Sequence, residues 1–380
     1  MATSPSSARE PIKVGLIADL TGPLSFVGMA NANVARMVVG DINAKGGLLG
    51  RQLELCLEDG ATDDAVAAEK ARKLVQHDKV DVVVGGIYSS TRQAIKGRAV
   101  VEGETLYIYP EQYEGQESDP LIFCTGPVPA QQVDPFIPWL MRETGAKSFY
   151  LPSADYIWPH VLNARVRDVV TANGGAIVGE EYYPLDHTDY EGTVDRITAS
   201  GADAVFNTIV PPGVTPFFEQ LHNSGFTSRG GQLICTYFDE NFLNMVPAAH
   251  VEGLYGCLDY YQAVDDPFSR RLLAQYDARY RGEAKFTGGS ACSGLYRGLH
   301  LWVNAVTEAG TLSQEDVITA LDHARIAEGP GGPAAMVPGQ HHTRLNMYIA
   351  QARDGRFEIV ERLGSIDPQE PLVGAPALTA

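Results

Sequence analysis

The chain has 380 residues, 44% of them hydrophobic and 20% charged, and its 29 basic and 47 acidic side chains leave a formal net charge of -18. This length exceeds the roughly 250–300 residues at which a single hydrophobic core stops growing, so two lobes are expected. The negative balance repels a phosphate backbone and an anionic membrane surface alike, which excludes nucleic acid as a partner, and no stretch approaches the roughly 18 apolar residues of a membrane helix.

The opening residues "MATSPSSAREPIKVGLIADL" lack a basic start followed by a long apolar run. No secretory signal is read there, and the chain as given is expected in the cytoplasm, or outside it if these residues are a mature or mis-started form. Residues 12–20 read as a strand, 30–47 as a helix with Val34, Val38 and Ile42 on one face, and 51–60 as an alternating strand. A helix over 62–79 opens on a capping Thr62, and "VDVVVGG" (80–86) is a short buried strand. The β-α-β-α-β rhythm predicts a parallel sheet with helices on both faces. "GGLLGR" (46–51) has neither dinucleotide nor Walker spacing and stands between a helix and a strand, so it reads as a helix end and tight turn.

After "CTGPVPAQQ" (124–132), whose prolines mark a crossing point, the rhythm restarts. Helices are expected at 133–144, 159–173, 190–199 and 212–224, with strands at 148–153, 176–185, 203–210 and 231–238. Beyond "VEGLYGCLDYYQ" (251–262) come helices around 267–281, 288–309 and 313–323. The Gly/Pro-rich stretch 328–340 is a loop and second crossing, and 345–363 is β-rich, with Asp354-Gly355 as a hairpin signal. "DPQEPLVGAPALTA" reads as a weakly ordered tail.

Chemistry-bearing signatures are sparse. Five widely spaced cysteines without a CxxC look like buried thiols, and neither a redox pair nor a zinc knuckle is expected. Asp186, His187 and Asp189, and the pair His341 and His342, lack helical metal-ligand spacing and read as polar loops, so no metal or other cofactor is expected. No G-x-S-x-G elbow surrounds Ser89, Ser90, Ser290 or Ser293, and the Ser-Ser-Thr triplet at 89–91 reads as a helix cap rather than a catalytic device. An amide or ester hydrolase built on a dispersed triad is the less favoured alternative.

One stretch concentrates polar groups. In "VGGIYSSTRQAIKGRAVVEGETLYIYPEQYEG" (84–115), Tyr88 and Ser89 stand where a strand gives way to a helix. The next strand delivers Tyr109, Glu111, Gln112 and Tyr113 at its own C-terminal end, the end where open α/β sheets bind ligands. In the second unit "SADYIWP", "FNTIVPP" and "CTYFDEN" again place aromatic and small polar residues after strands. Facing rims of this kind suit a small polar solute held in a cleft by hinge closure.

The motifs "KVGLIADLTGPLSFVG…DINAKGGLLGRQLEL", "VVVGGIYSSTRQAI", "YIYPEQYEG", "FCTGPVPAQQ", "SADYIWP" and "DHTDY" together resemble the branched-chain amino-acid binding family of type I periplasmic-binding-protein folds. Within it they resemble the urea and short-chain-amide branch, over about residues 12–363. The resemblance implies an α/β fold of two Rossmann-like lobes with parallel sheets joined by three crossover strands. It places residues 11–126 plus 254–330 in lobe 1 and 127–253 plus 331–363 in lobe 2, with 1–10 and 364–380 as tails. It implies a non-enzymatic solute-binding protein for an amide or urea-like ligand, partnered by the permease of an ABC transporter or by a cytoplasmic regulatory protein. The alternative is a receptor for branched-chain or other amino acids. Ser89, Tyr109 and Glu111 match first-lobe ligand contacts, with Tyr88 and Gln112 beside them. Tyr156 and Trp158 match a second-lobe aromatic pair, and Thr208 and Thr236 sit where that lobe's strands reach the cleft. Ile87, Trp158 and Glu111 depart from the branch's usual residues, and a carboxylate at 111 favours a ligand with extra N–H groups or positive charge. A homodimer is compatible with the base rate for soluble proteins, and nothing in the sequence adds to that.

Overall fold

A computed structural model describes residues 10–282, 284–289 and 292–374; residues 1–9 and 375–380 of the expected tails, and Ser290, lie outside the described residues. The chain begins with β1 (Ile12–Ala18), α1 (Ser25–Ala44), β2 (Leu53–Asp59), α2 (Asp64–Lys73), β3 (Val82–Gly85), α3 (Ser89–Lys96), β4 (Tyr107–Tyr109) and β5 (Ile122–Cys124). It passes through α4 (Pro129–Thr144) into β6 (Ser148–Ala154), α5 (Ile157–Ala172), β7 (Ala176–Tyr183), α6 (Glu191–Ser200), β8 (Ala204–Phe206), α7 (Val214–Asn223), β9 (Gln232–Ile234), α8 (Glu240–Leu243) and β10 (Tyr255–Leu258). There follow α9 (Pro267–Arg279), α10 (Ser293–Ala309), α11 (Gln314–Leu321), β11 (Arg325–Ile326), β12 (Ala334–Val337), β13 (His342–Arg353) and β14 (Arg356–Ile366).

Hydrogen-bonded neighbours run β2-β1-β3-β4-β5-β13-β10-β9-β8-β6-β7. The strands on either side of β13 pair in parallel, as β-α-β connections require. Two α/β lobes therefore share one curled sheet. β13 touches β5 at His342↔Cys124 and then runs antiparallel to β10 over Tyr348–Gln351. Because helices cover both faces, the central strands read as unbroken apolar runs: Val82, Val83 and Val84 of β3 have no exposed surface. α10 packs on α1 and reaches β4, so the chain returns to the first lobe after β10.

Local departures have local causes. α1 starts at Ser25, ahead of the expected 30, because Gly28 is a helical residue whose missing Cβ lets the helix lie on the Asp19 backbone; a Cβ there would sit 2.0 Å from the Asp19 carbonyl oxygen. Asp63, not Thr62, caps α2, accepting from Val66 N at 2.9 Å. Pro110 stops β4 after three residues. The loop expected over 328–340 contains β12. Asp354 (φ 50°) and Gly355 (φ 73°) form the left-handed pair of a two-residue hairpin turn between β13 and β14. Residues expected in the C-terminal tail lie along the protein: Val373 N donates to Gly339 O at 2.7 Å and Gly374 N to Ser118 O at 2.9 Å.

Candidate functional site

The strand-to-helix turn after β3 is made by Gly85 and Gly86, both at positive φ. A Cβ on Gly85 would lie 2.0 Å from the Ile17 carbonyl oxygen, so only glycine permits this approach. The turn projects Ile87, Tyr88 and Ser89 from the sheet's C-terminal edge. Tyr88 is the N-cap residue of α3, and no side chain caps the helix. The triplet expected as a cap is occupied elsewhere. Ser89 Oγ donates to Glu114, while Ser90 and Thr91 donate to Asp64 Oδ1 at 3.2 and 2.7 Å. Glu114 also accepts from Arg92 Nη2 at 2.8 Å, and the buried Arg92 guanidinium lies 4.5 Å from the Tyr113 ring centre and 5.2 Å from that of Tyr109. A carboxylate already paired with arginine, rather than a histidine, therefore receives the Ser89 hydroxyl.

Around this edge a small cleft, with a cavity volume of about 40 Å³, opens between the lobes. Ile87, Tyr88, Ser89, Glu111 and Gln112 line it from the first lobe, with Leu24 and Val27 from the start of α1; Tyr156, Trp158, Val210, Pro211, Tyr237 and Phe242 line it from the second. Six residues expected in the site meet there: Tyr88, Ser89, Glu111, Gln112, Tyr156 and Trp158. Three do not reach the wall. Tyr109 is fully buried, with its hydroxyl donating to Ile87 O at 2.6 Å. Thr208 is buried in a bridge to Ser153, and Thr236 is buried with its carbonyl accepting from Gln132 Nε2 at 3.3 Å. A strand-end position identifies the edge but not which of two faces a side chain takes. Val210, Pro211 and Tyr237 fall in stretches that the strand-end argument marked without singling them out. Phe242, Leu24 and Val27 carry no local signal, because they enter from helices that approach through the fold.

The polar groups of the cleft are few and constrained. Glu111 is 1% exposed. Its Oε1 accepts from Asn31 Nδ2 at 3.1 Å, and its Oε2 has no hydrogen-bond partner. Burial, with Asp239, Asp19 and Asp259 nearby, pushes its carboxyl well above the usual carboxylate range. Gln112 Oε1 accepts from Gln132 Nε2 at 2.6 Å. Trp158 Nε1 is a buried donor with no partner. Across the cleft Tyr88 OH donates to Pro211 O at 3.2 Å, and the Tyr88 and Tyr156 ring centres are 5.3 Å apart, so the lobes touch directly.

The other candidate clusters are structural. His187 stacks on Tyr183 at 4.7 Å, His341 stacks on Phe123 at 3.7 Å, and His342 meets the Tyr113 hydroxyl. Among the described residues no group of three or more His, Cys, Asp or Glu is placed to hold a metal ion. Likewise no described helix is long and apolar enough to cross a membrane.

A family model described as periplasmic binding protein matches residues 11–356. The Leu/Ile/Val-binding protein of Escherichia coli K12 is 36% identical over 93 residues, covering 24% of this chain and only 25% of that relative. The solute binding protein of an ABC transporter from Rhodopseudomonas palustris BisB5, in complex with 3,4-dihydroxybenzoic acid, superposes with a TM-score of 0.82 at 24% identity over 94% of this chain and 98% of its own. A leucine binding protein from Thermotoga maritima superposes with a TM-score of 0.80 at 18% identity, covering 93% and 99% respectively. These likenesses establish the two-lobed fold.

Proposed function

We propose that this chain, which belongs to the periplasmic binding protein family, is the solute-capturing component of an ABC-type transporter and takes a small amide-type solute between its lobes. One observation carries this reading. Glu111 Oε2 and Trp158 Nε1, on opposite lobes, are buried polar atoms without partners in the wall of a single, mainly apolar cleft. An unpaired buried polar atom costs roughly 1–3 kcal/mol. A ligand that offers a carbonyl to the indole N–H and an N–H to the carboxyl group relieves both costs at once, and only with the lobes together. A carboxamide is the smallest group that does so.

The walls refine the size and character of the rest. Leu24, Val27, Ile87, Val210 and Pro211 call for an apolar body, which disfavours urea itself within the amide class. A solute carboxylate finds no lysine, arginine or histidine among the described residues lining the cleft, which disfavours benzoates and free amino acids, the ligands named for several similar proteins. Kinship with ABC-transporter components supports a membrane permease, rather than a cytoplasmic regulator, as the partner that senses closure. Capture needs no bond-breaking step, and the carboxylate that receives the Ser89 hydroxyl, Glu114, has its charge committed to Arg92.

Calorimetric titration with isobutyramide, benzamide, urea, benzoate and leucine tests the reading. The two apolar amides are expected to bind at least tenfold more tightly than urea or the carboxylates. Binding of benzoate or leucine with no binding of either amide overturns it.

A further inference from the structure

The wall of the cleft carries a pattern, four of its five members on the second lobe, that amide binding does not require. Five lining residues are aromatic, and their rings form one unbroken arc. Successive ring centres are 5.3 Å apart from Tyr88 to Tyr156, 6.2 Å from Tyr156 to Trp158, 5.9 Å from Trp158 to Tyr237 and 4.9 Å from Tyr237 to Phe242. The interplanar angles, 56°, 35°, 76° and 72°, show rings tilted against one another rather than stacked in a column. Glu111 lines the same cleft. Among the described residues lining the cleft there is no lysine, arginine or histidine. Arg297, close to this region, is taken up by Asp259 at 2.6 Å.

Aromatic rings set at several tilts in the wall of one cleft can offer their negative faces from more than one direction, which suits a weakly hydrated alkylated ammonium better than a neutral group of the same shape. A buried carboxyl group with a bare oxygen supplies the counter-charge, and Asp19 and Asp239 deepen the negative potential around it. We propose that the solute carries an alkylated ammonium head, seated against the Tyr88–Tyr156–Trp158–Tyr237–Phe242 arc and balanced by Glu111, in addition to its amide. This deepens the amide reading above and rests on it. The raised carboxyl of Glu111 fits, because an arriving cation favours its ionised form. The Trp158 ring can face the cation while its Nε1 edge donates to the amide carbonyl.

The test uses two amides of one shape. Trimethylammonioacetamide and its tert-butyl isostere, in which carbon replaces the ammonium nitrogen, are titrated calorimetrically into the full-length protein. The cation is expected to bind at least tenfold more tightly. That ratio is expected to fall severalfold in Glu111→Gln and in Tyr156→Leu and to be restored in Tyr156→Phe, with far-UV circular dichroism checking that each variant is folded. Equal or tighter binding of the neutral isostere overturns the inference while leaving amide capture standing. A cation preference that persists undiminished in both Glu111→Gln and Tyr156→Leu also overturns it. Failure of both probes to bind, alongside failure of the simple amides, overturns the amide reading and this inference with it.

Discussion

Arg92 is 2% exposed, and its charge is met inside the protein by Glu114 at 2.8 Å and by Glu117 at 3.7 Å. Removing one partner of such a pair leaves a buried charge under-compensated, at a cost of about 3–5 kcal/mol when no other counter-charge remains. With Glu117 still present, Glu114→Ala is expected to cost about 2–3 kcal/mol, read as a lower urea midpoint with little change in slope. A change below about 0.5 kcal/mol would mean that Glu117 alone satisfies the guanidinium. The same pair shows what the sequence conveys at this scale. The accumulation of Ser89, Glu111 and Gln112 after adjacent strands is visible in the chain, because strand ends follow from hydrophobic patterning. That Ser89 serves Glu114, and Tyr109 the Ile87 carbonyl, is not visible, because each partner is chosen by packing among residues 22 to 25 positions apart.

Glu111 is held in place from the backbone rather than by its side chain alone. The segment Pro110–Gln112 lies between two glycines. A Cβ on Gly294 of α10 would come within 1.8 Å of the Pro110 carbonyl oxygen, and one on Gly126 within 2.1 Å of the Glu111 carbonyl oxygen. Gly294→Ala is therefore expected to push α10 off the end of β4, costing roughly 1–3 kcal/mol or more as overpacking. Because Glu111 moves with Pro110, benzamide affinity should drop severalfold as well, and calorimetry on the folded variant checks this. An unchanged affinity would show that the cleft does not depend on the seating of α10. The elements themselves were largely legible, since short apolar runs alternating with amphipathic segments leave few other readings. The exceptions lie where glycine is used for close approach instead of a turn, as at Gly28, and where three-residue strands end at proline, as at Pro110.

For the molecule as a whole, burial of ionisable groups sets opposing pH dependences. His300 and His342 are pushed down to about 4 by burial. Their folded values lie below the unfolded value near 6.5, so the stability they lend is present above that pH and lost as pH falls toward 4. The buried acids behave in the opposite sense. Burial raises Asp19 and Asp239 to about 6, Glu370 to about 7 and Glu240 to about 8. Their contribution is complete below the unfolded carboxylate range and lost as pH rises through those values. Four raised acids outweigh two depressed histidines, so the thermal midpoint is expected to fall as pH rises from about 4.5 to about 8 and to level off above that. Scanning calorimetry across that range checks it, and a midpoint constant or rising to pH 9 would show that these carboxyl groups find charge compensation in solution.

β13 is the neighbour that both β5 and β10 acquire on their inner side. Ownership of that strand is shared, so the two lobes are not separable modules. A chain shortened from its C-terminus to end before β13 would not yield one sound lobe and one damaged one. Both half-sheets would gain a bare inner edge, each able to recruit a strand from another molecule. For a protein of this shape, premature termination is therefore a route to aggregation rather than to a weaker receptor, although the lost residues contribute nothing to the wall of the cleft.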